Sequence, residues 1–160
     1  MKPWPTLASL ATMPLPPELL DPGLGDPCAG GSHTLILVTF AAPQGRLDAE
    51  GGGVPLRCGR PDCNGRDGWG YRHFAGRWAG VAERFHRDIA TTLERGRRRR
   101  VERGTVRYDL AWPGALGTVD RALTLIVSLR SQQPDLGIRG VVTAYWWQHP
   151  ERAAPLLPDR

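Results

Sequence analysis

Residues 81–112, VAERFHRDIATTLERGRRRRVERGTVRYDLAW, change their hydrophobic period partway along, and this change decides the fold class. Up to residue 95 the apolar side chains of one face recur at helical spacing: Ala82, Phe85, Ile89 and Leu93. From residue 105 apolar and polar side chains alternate, with one side formed by Val106, Tyr108, Leu110 and Trp112. The stretch therefore predicts an amphipathic helix over 81–95, a stop at Gly96 and a strand over 105–112.

Two further apolar runs follow this stretch, RALTLIVSLR at 121–130 and IRGVVTAYWW at 138–147. The segments between the runs, PGALGTVD and SQQPDLG, are short and rich in turn residues, which is typical of antiparallel pairing. An earlier run, HTLILVTF at 33–40, predicts one more strand. The order predicts an α+β fold in which an N-terminal helix or helices pack on an antiparallel β-sheet meander.

The composition divides the chain into three parts. Residues 1–32 are rich in proline and glycine and predict an irregular N-terminal arm, while residues 149–160 predict an irregular tail. Residues 33–148 carry the periodic segments and predict one domain, and the 41% hydrophobic content of the chain is enough for a packed core. No run approaches the roughly 20 apolar residues of a membrane helix, so no membrane partner is expected.

The charge of the chain is basic, with a net charge of +5, a pI of about 9.7 and Lys2 as the only lysine. This balance predicts a polyanionic partner, most simply RNA or DNA, although a genome rich in arginine codons produces the same composition. The stretch RRRRVERG at 97–104 predicts a basic turn, and the run RGRRRR at 95–100 predicts contacts with RNA phosphates through Arg97, Arg98, Arg99 and Arg100. The alternatives are a solvated turn or a docking patch for an acidic inhibitor.

The three cysteines are Cys28, Cys58 and Cys63, and the last two are separated by four residues in CGRPDC. This spacing permits a zinc site through Cys58 and Cys63, which would need further ligands such as Cys28, His33 or His73. A local disulfide and free thiols are the other interpretations, and all three stay open. An odd number of cysteines argues against a scaffold built on disulfides.

The segment GWGYRHFAGRW at 68–78 holds a histidine close to arginines. If residue 71 begins a helix, His73 and Arg77 lie one turn apart, and a base beside a fixed cation suits attack at a phosphodiester. A surface histidine is the simpler interpretation. In the last strand Thr143 and Tyr145 project on one face, where the hydroxyls can hold a phosphate oxygen. Arg107, with the hydroxyls of Thr105 and Ser128, can line the same surface.

These segments, taken in order, resemble the nuclease toxins and phage-associated nucleases of the barnase–EndoU–colicin–RelE group. The resemblance rests on GWGYRHFAGRW, the helix RFHRDIATTLERG, and the strands VRYDLAW, ALTLIVSLR and VVTAYWW, and covers residues 68–147. It implies that His73 is the acid or base, that Arg72 and Arg77 are its basic neighbours, and that Thr143, with Tyr145 close behind, is the last-strand hydroxyl. Members of the group often carry a second histidine where Trp78 stands, and His86 is the candidate replacement.

The activity implied by the resemblance is cleavage of RNA, often tRNA, without metal or other cofactor. The ribose 2′-OH attacks the neighbouring phosphate, a step that requires RNA. The resemblance also implies an immunity protein or antitoxin as partner, and location in the cytoplasm or delivery into the cytoplasm of a target cell. Two other functions remain open: a non-catalytic nucleic-acid-binding module, zinc-stabilised through the cysteine loop, and an interaction protein that keeps the fold without the chemistry.

Overall fold

The computed structural model describes residues 25–40, 53–62, 68–77, 82–102, 104–131 and 137–157. It confirms an α+β chain in which antiparallel sheet predominates. The strands and α-helices are β1 (Ile36–Phe40), β2 (Val54–Arg57), α1 (Tyr71–Phe74), α2 (Ala82–Arg95), β3 (Arg97–Glu102), β4 (Thr105–Pro113), β5 (Val119–Ser131) and β6 (Ile138–Trp146). Short 3₁₀ helices span Ala75–Arg77, Ala115–Gly117 and Pro150–Leu156. Of the predicted N-terminal arm, only residues 25–32 lie within the described part of the chain.

The larger sheet is an antiparallel meander in the order β3-β4-β5-β6, so the predicted strands over 105–112, 121–130 and 138–147 are confirmed. The predicted basic turn at 97–104 is wrong over Arg97–Glu102, because these residues form the edge strand β3 and pair with β4. All six residues of β3 are exposed, so no alternation of apolar side chains could reveal the strand. Charged side chains are a common feature of edge strands, because they discourage pairing with another chain.

The main core lies between the inner face of this sheet and helix α2. Ile89 and Leu93 of the helix are buried in the same cluster as Tyr108 and Leu125 of the central strands. Of the predicted helical face, Phe85, Ile89 and Leu93 are buried, and the side chain of Ala82 lies outside the described residues. Complete burial of a side chain such as Ile89 contributes about 1.5–3 kcal/mol.

Strands β1 and β2 form a separate two-stranded sheet that covers one side of the core. Strand β1 confirms the strand predicted over 33–40, whereas β2 was not predicted. All four residues of β2 are buried, so the segment shows no alternation, and its proline and neighbouring glycines favour a loop. The backbone of β6 passes close to β2 at Gly140, which has φ +84°, and a Cβ there would collide with the carbonyl of Pro55.

A disulfide joins Cys28 to Cys58, with the two Cα atoms 5.6 Å apart and both residues fully buried. The zinc alternative through Cys58 and Cys63 is wrong, because the Cys58 sulfur is already bonded, and the local disulfide within CGRPDC is wrong for the same reason. Cys63 itself lies outside the described residues. The described part of the chain holds no cluster of metal-ligating side chains.

The predicted irregular tail is also wrong within the described residues, because Pro150–Leu156 forms a 3₁₀ helix. Its Ala153 is buried in a second small core with Ala111 and Ala122 on the outer face of the sheet. The helix contains Pro150 and Pro155, so its sequence does not have the pattern typical of an α-helix. Across the described residues, no helix combines the length and the apolar character that a membrane span requires.

The disulfide closes a loop with a sequence separation of 30, so its loss should lower the free energy of unfolding. Replacement of Cys28 and Cys58 together by serine should cost about 3–4 kcal/mol, because the unfolded chain regains the entropy of the open loop. Urea unfolding without reductant measures this loss, and Cys63→Ser is the matched control that should change little. A disulfide-linked peptide that contains Cys63 would contradict the pairing.

Candidate functional site

The outer face of the larger sheet, opposite helix α2, carries polar side chains in cross-strand rows. Arg99 pairs with Arg107, Arg107 with Ile126, and Ile126 with Thr143, so one row crosses all four strands. Residues directly opposite one another in an antiparallel pair share a face. Thr143 and Arg107 therefore lie on one face, as the strand periods indicated, with Thr105 and Ser128 paired two positions away. The row beside it consists of Arg97, Asp109, Thr124 and Tyr145.

A buried carboxylate holds this face together. Asp109 is 7% exposed, and Arg107 Nε donates to both of its oxygens at 2.8 Å. The Thr124 hydroxyl donates to Asp109 at 2.6 Å and accepts from Arg107 Nη2 at 3.3 Å and from Trp147 Nε1 at 2.9 Å. One hydroxyl thereby uses its donor and both acceptor positions. The cluster fixes the orientation of Arg107 and of the Trp147 ring.

A cleft of about 670 Å³ opens beside this cluster, where β6 leads into the C-terminal 3₁₀ helix. Its lining combines cationic, aromatic, amide and imidazole groups: Arg107, Tyr145, Trp146, Trp147, Gln148, His149 and Arg152. His149 Nδ1 lies 3.3 Å from Glu151 Oε1, and both side chains are largely exposed. The cleft thus brings together a proton-transfer group, two guanidinium groups and aromatic rings that can stack on a base.

The predicted catalytic histidine, His73, lies in another environment. Its Nδ1 is 2.8 Å from Asp62 Oδ1, and the two groups form an ion pair when His73 is protonated. The nitrogen is buried and makes no hydrogen bond. Gly68 lies next to the Asp62 carboxylate and the His73 imidazole, and a Cβ at position 68 would collide with both. Among the described residues, no hydrogen bond or ion pair joins His73 to Thr143. Helix α1 lies beside β6, and the convergence of His73 and Thr143 on one surface stays a prediction.

The other predicted neighbours of His73 are dispersed. The Arg72 guanidinium donates to the carbonyls of Cys28 at 2.5 Å and Gly31 at 3.1 Å, so it anchors helix α1 to the disulfide-linked turn rather than facing a ligand. His86 packs on Phe40 with ring centroids 5.1 Å apart, and burial lowers the pKa of its imidazole. The side chain of Arg77 and the whole of Trp78 lie outside the described residues.

Sequence reasoning missed His149, Arg152, Trp147 and Asp109. The run YWWQH supplied one signal, because a histidine directly after an aromatic strand end suits a site at the sheet edge. Residues 150–156 return over the outer face and close the cleft, and no local pattern in the sequence indicates this return. Asp109 lies on the side of its strand opposite to Val106 and Tyr108, and it is nevertheless buried, with Arg107 bonded to both of its oxygens.

Comparison of the chain with protein-family models, with curated protein sequences and with solved structures finds no match.

Replacement of the buried Asp109 by asparagine should lower the free energy of unfolding by about 2–3 kcal/mol. The change leaves Arg107 without its counter-charge, and the partial exposure of Arg107 keeps the loss below that of a fully buried pair. The matched control is Asp120→Asn, which removes an exposed partner of Arg121 and should cost less than about 1 kcal/mol. Equal losses for the two variants in urea unfolding would show that the Asp109 cluster stabilises nothing.

Proposed function

We propose that the protein is a metal-independent endoribonuclease of toxin type, with its active site in the outer cleft. The observation that carries this proposal is the convergence of His149, Tyr145, Arg107 and Arg152 on one cleft. Transesterification of RNA needs a base, an acid and fixed positive charge, and these four side chains supply all three. Of the residues suggested by the resemblance, Tyr145 remains in the proposed site, together with Arg107 from the strand pattern. The other residues suggested by the resemblance are not assigned to the site: His73, Arg72, Arg77, Thr143 and His86.

The proposed reaction assigns one role to each group. His149 takes the proton of the ribose 2′-OH, whose oxygen forms a bond to phosphorus while the bond from phosphorus to the 5′ oxygen breaks. The Tyr145 hydroxyl protonates the leaving 5′ oxygen, and the proton held by His149 returns to Tyr145 through solvent. Arg107 and Arg152 stabilise the charge on the phosphate oxygens. The products are a 2′,3′-cyclic phosphate and a 5′-hydroxyl, so DNA is not cleaved.

RNA as the ligand is supported by charge and by aromatic surface. The chain is basic, and guanidinium groups lie beside Tyr145 and Trp147 in the cleft. Bases that stack on aromatic rings while arginines hold phosphates are the usual means of binding single-stranded nucleic acid. A tRNA is the target suggested by the resemblance to barnase–EndoU–colicin–RelE nucleases, which also suggests an immunity protein or antitoxin as partner. That family assignment, and the fold of that family, remain predictions.

The disulfide bears on where the toxin folds. Disulfides form and persist in oxidising compartments and are rare in the cytosol, and Cys28–Cys58 is fully buried. This favours the second of the two predicted locations, in which the protein folds outside the cytoplasm and is delivered into that of a target cell. None of the described residues of the disulfide loop lines the outer cleft.

A non-catalytic nucleic-acid-binding module is the second candidate, and the exposure of His149 favours it. Its side chain is 61% exposed, whereas proton-transfer groups in enzymes are usually held more tightly. Trp147 and Tyr145 suffice for stacking without any chemistry. The zinc-stabilised form of this candidate is not retained, since Cys58 is in a disulfide.

The test of the proposed function compares two histidines. Purified protein is incubated with total RNA in chelator, and fragment ends are analysed for the cyclic phosphate. His149→Ala should reduce the rate of cleavage by about 10²- to 10⁴-fold, the usual contribution of positioned acid–base catalysis, without unfolding the protein. His73→Ala is the matched control and should retain cleavage. The reverse result would place the active site at His73, and RNA binding without cleavage by the wild-type protein would identify the non-catalytic module.

A further inference from the structure

The four consecutive arginines of β3 lie on opposite faces of the sheet. Successive side chains of a strand alternate between faces, so Arg97 and Arg99 share the outer face with their partners Asp109 and Arg107. Arg99 Nε lies 3.9 Å from Asp109 Oδ2, which agrees with this placement. The register is unbroken from Arg97 to Arg100, so the alternation holds over the whole arginine run.

The other two arginines are directed to the core side. Arg98 pairs with Tyr108 and Arg100 with Val106, and both partners belong to the main core. Burial raises the pKa of the Tyr108 hydroxyl, and Arg98 opposes this rise through a hydrogen bond and its charge, so Arg98 lies beside that hydroxyl. A ligand on the outer face cannot contact Arg98 and Arg100 from the same position as Arg97 and Arg99.

The outer-face arginines continue the row that leads towards the cleft. From Arg99 the row passes Arg107, the wall of the cleft, and ends at Thr143 on β6. Adjacent strands lie about 4.8 Å apart, so the three steps from β3 to β6 span about 14 Å. This distance accommodates more than one nucleotide. Positive charge lies at the β3 end of the row, and the aromatic side chains lie at the other end in the cleft.

We propose that a single strand of RNA crosses the outer face at right angles to the β-strands, from Arg97 and Arg99 over Arg107 into the cleft at Tyr145 and His149. This inference rests on the proposed function and adds the path and the form of the ligand. A single strand is required because the bases of a duplex are stacked on one another and cannot lie against Tyr145 or Trp147. Arg97 and Arg99 hold phosphates outside the reactive position, so they bind substrate without touching the reacting atoms.

The experiment exploits the alternation of β3, which offers two double variants with the same change of charge. Wild-type protein, R97S/R99S and R98S/R100S are titrated with a fluorescent 12-nucleotide 2′-O-methyl RNA, which lacks the attacking hydroxyl, over a range of salt concentrations. R97S/R99S should bind more weakly and reduce the log–log salt slope by about 1.4, since each phosphate contact to a single strand contributes roughly 0.7. R98S/R100S should leave the slope unchanged.

Three outcomes would overturn the proposed path. Equal effects of the two double variants would show that the arginines act only through net charge, and a larger effect of R98S/R100S would place the RNA on the other side of β3. Unchanged RNA binding by R97S/R99S would show that these arginines do not contact RNA and would indicate another ligand for β3, such as an acidic protein. Thermal unfolding checks that the variants are folded, and if R98S/R100S loses stability, R99S is compared with R100S instead.

Two further measurements separate the path from the proposed function. A blunt duplex of the same sequence should bind more weakly than the single strand, and tighter binding of the duplex would refute the single-stranded ligand. If the wild-type protein binds the 2′-O-methyl RNA but does not cleave unmodified RNA, the ribonuclease proposal fails and the path stands. If it cleaves RNA and the two double variants behave alike, the path fails and the ribonuclease proposal stands. Absence of RNA binding by the wild-type protein refutes both.

Discussion

The buried carboxylate of Asp109 needs a counter-charge, and the neighbouring side chains of the outer face supply it. Removal of a charge from water costs several kcal/mol unless it is paired and hydrogen-bonded, and Arg107 and Thr124 supply both forms of compensation. Thr124 also binds the Trp147 indole, so the same cluster orients a cation and an aromatic ring of the cleft. These groups are ordered before any ligand arrives, which reduces the entropy cost of binding.

A second buried carboxylate plays the corresponding part on the inner face. Asp88 of helix α2 accepts two hydrogen bonds of 3.0 Å from Arg121 on β5 and one of 3.1 Å from the Trp146 indole on β6. The helix is therefore tied to two strands by directional bonds as well as by apolar packing. Strand β5 therefore contributes to a hydrogen-bonded carboxylate cluster on each face, through Arg121 to Asp88 on the inner face and through Thr124 to Asp109 on the outer face.

The segment around His73 combines the residue types of an active site with contacts that stabilise the fold. Arg72 is occupied by main-chain carbonyls of the disulfide-linked turn, and Phe74 is buried in the core. These contacts anchor helix α1 beside β6, where the Gly70 amide donates to the carbonyl of Val142 at 2.9 Å. Proximity of a histidine and arginines in sequence indicates chemistry only when the arginines are free to face a ligand.

The sequence by itself determined helix α2, strands β4, β5 and β6 and their antiparallel order, because hydrophobic period and turn composition are local properties. It also predicted that Arg107 and Tyr145 lie on one face of the sheet, since alternation along a strand assigns each residue to a face. Only the tertiary structure decided the pairing of Cys28 with Cys58, the strand formed by Arg97–Glu102, and the meeting of His149 with Arg107. Each of these depends on contacts between residues far apart in the chain or on pairing with a neighbouring strand. Main-chain hydrogen bonds between strands do not produce alternation in the sequence when every side chain is exposed, as in β3, or when every side chain is buried, as in β2.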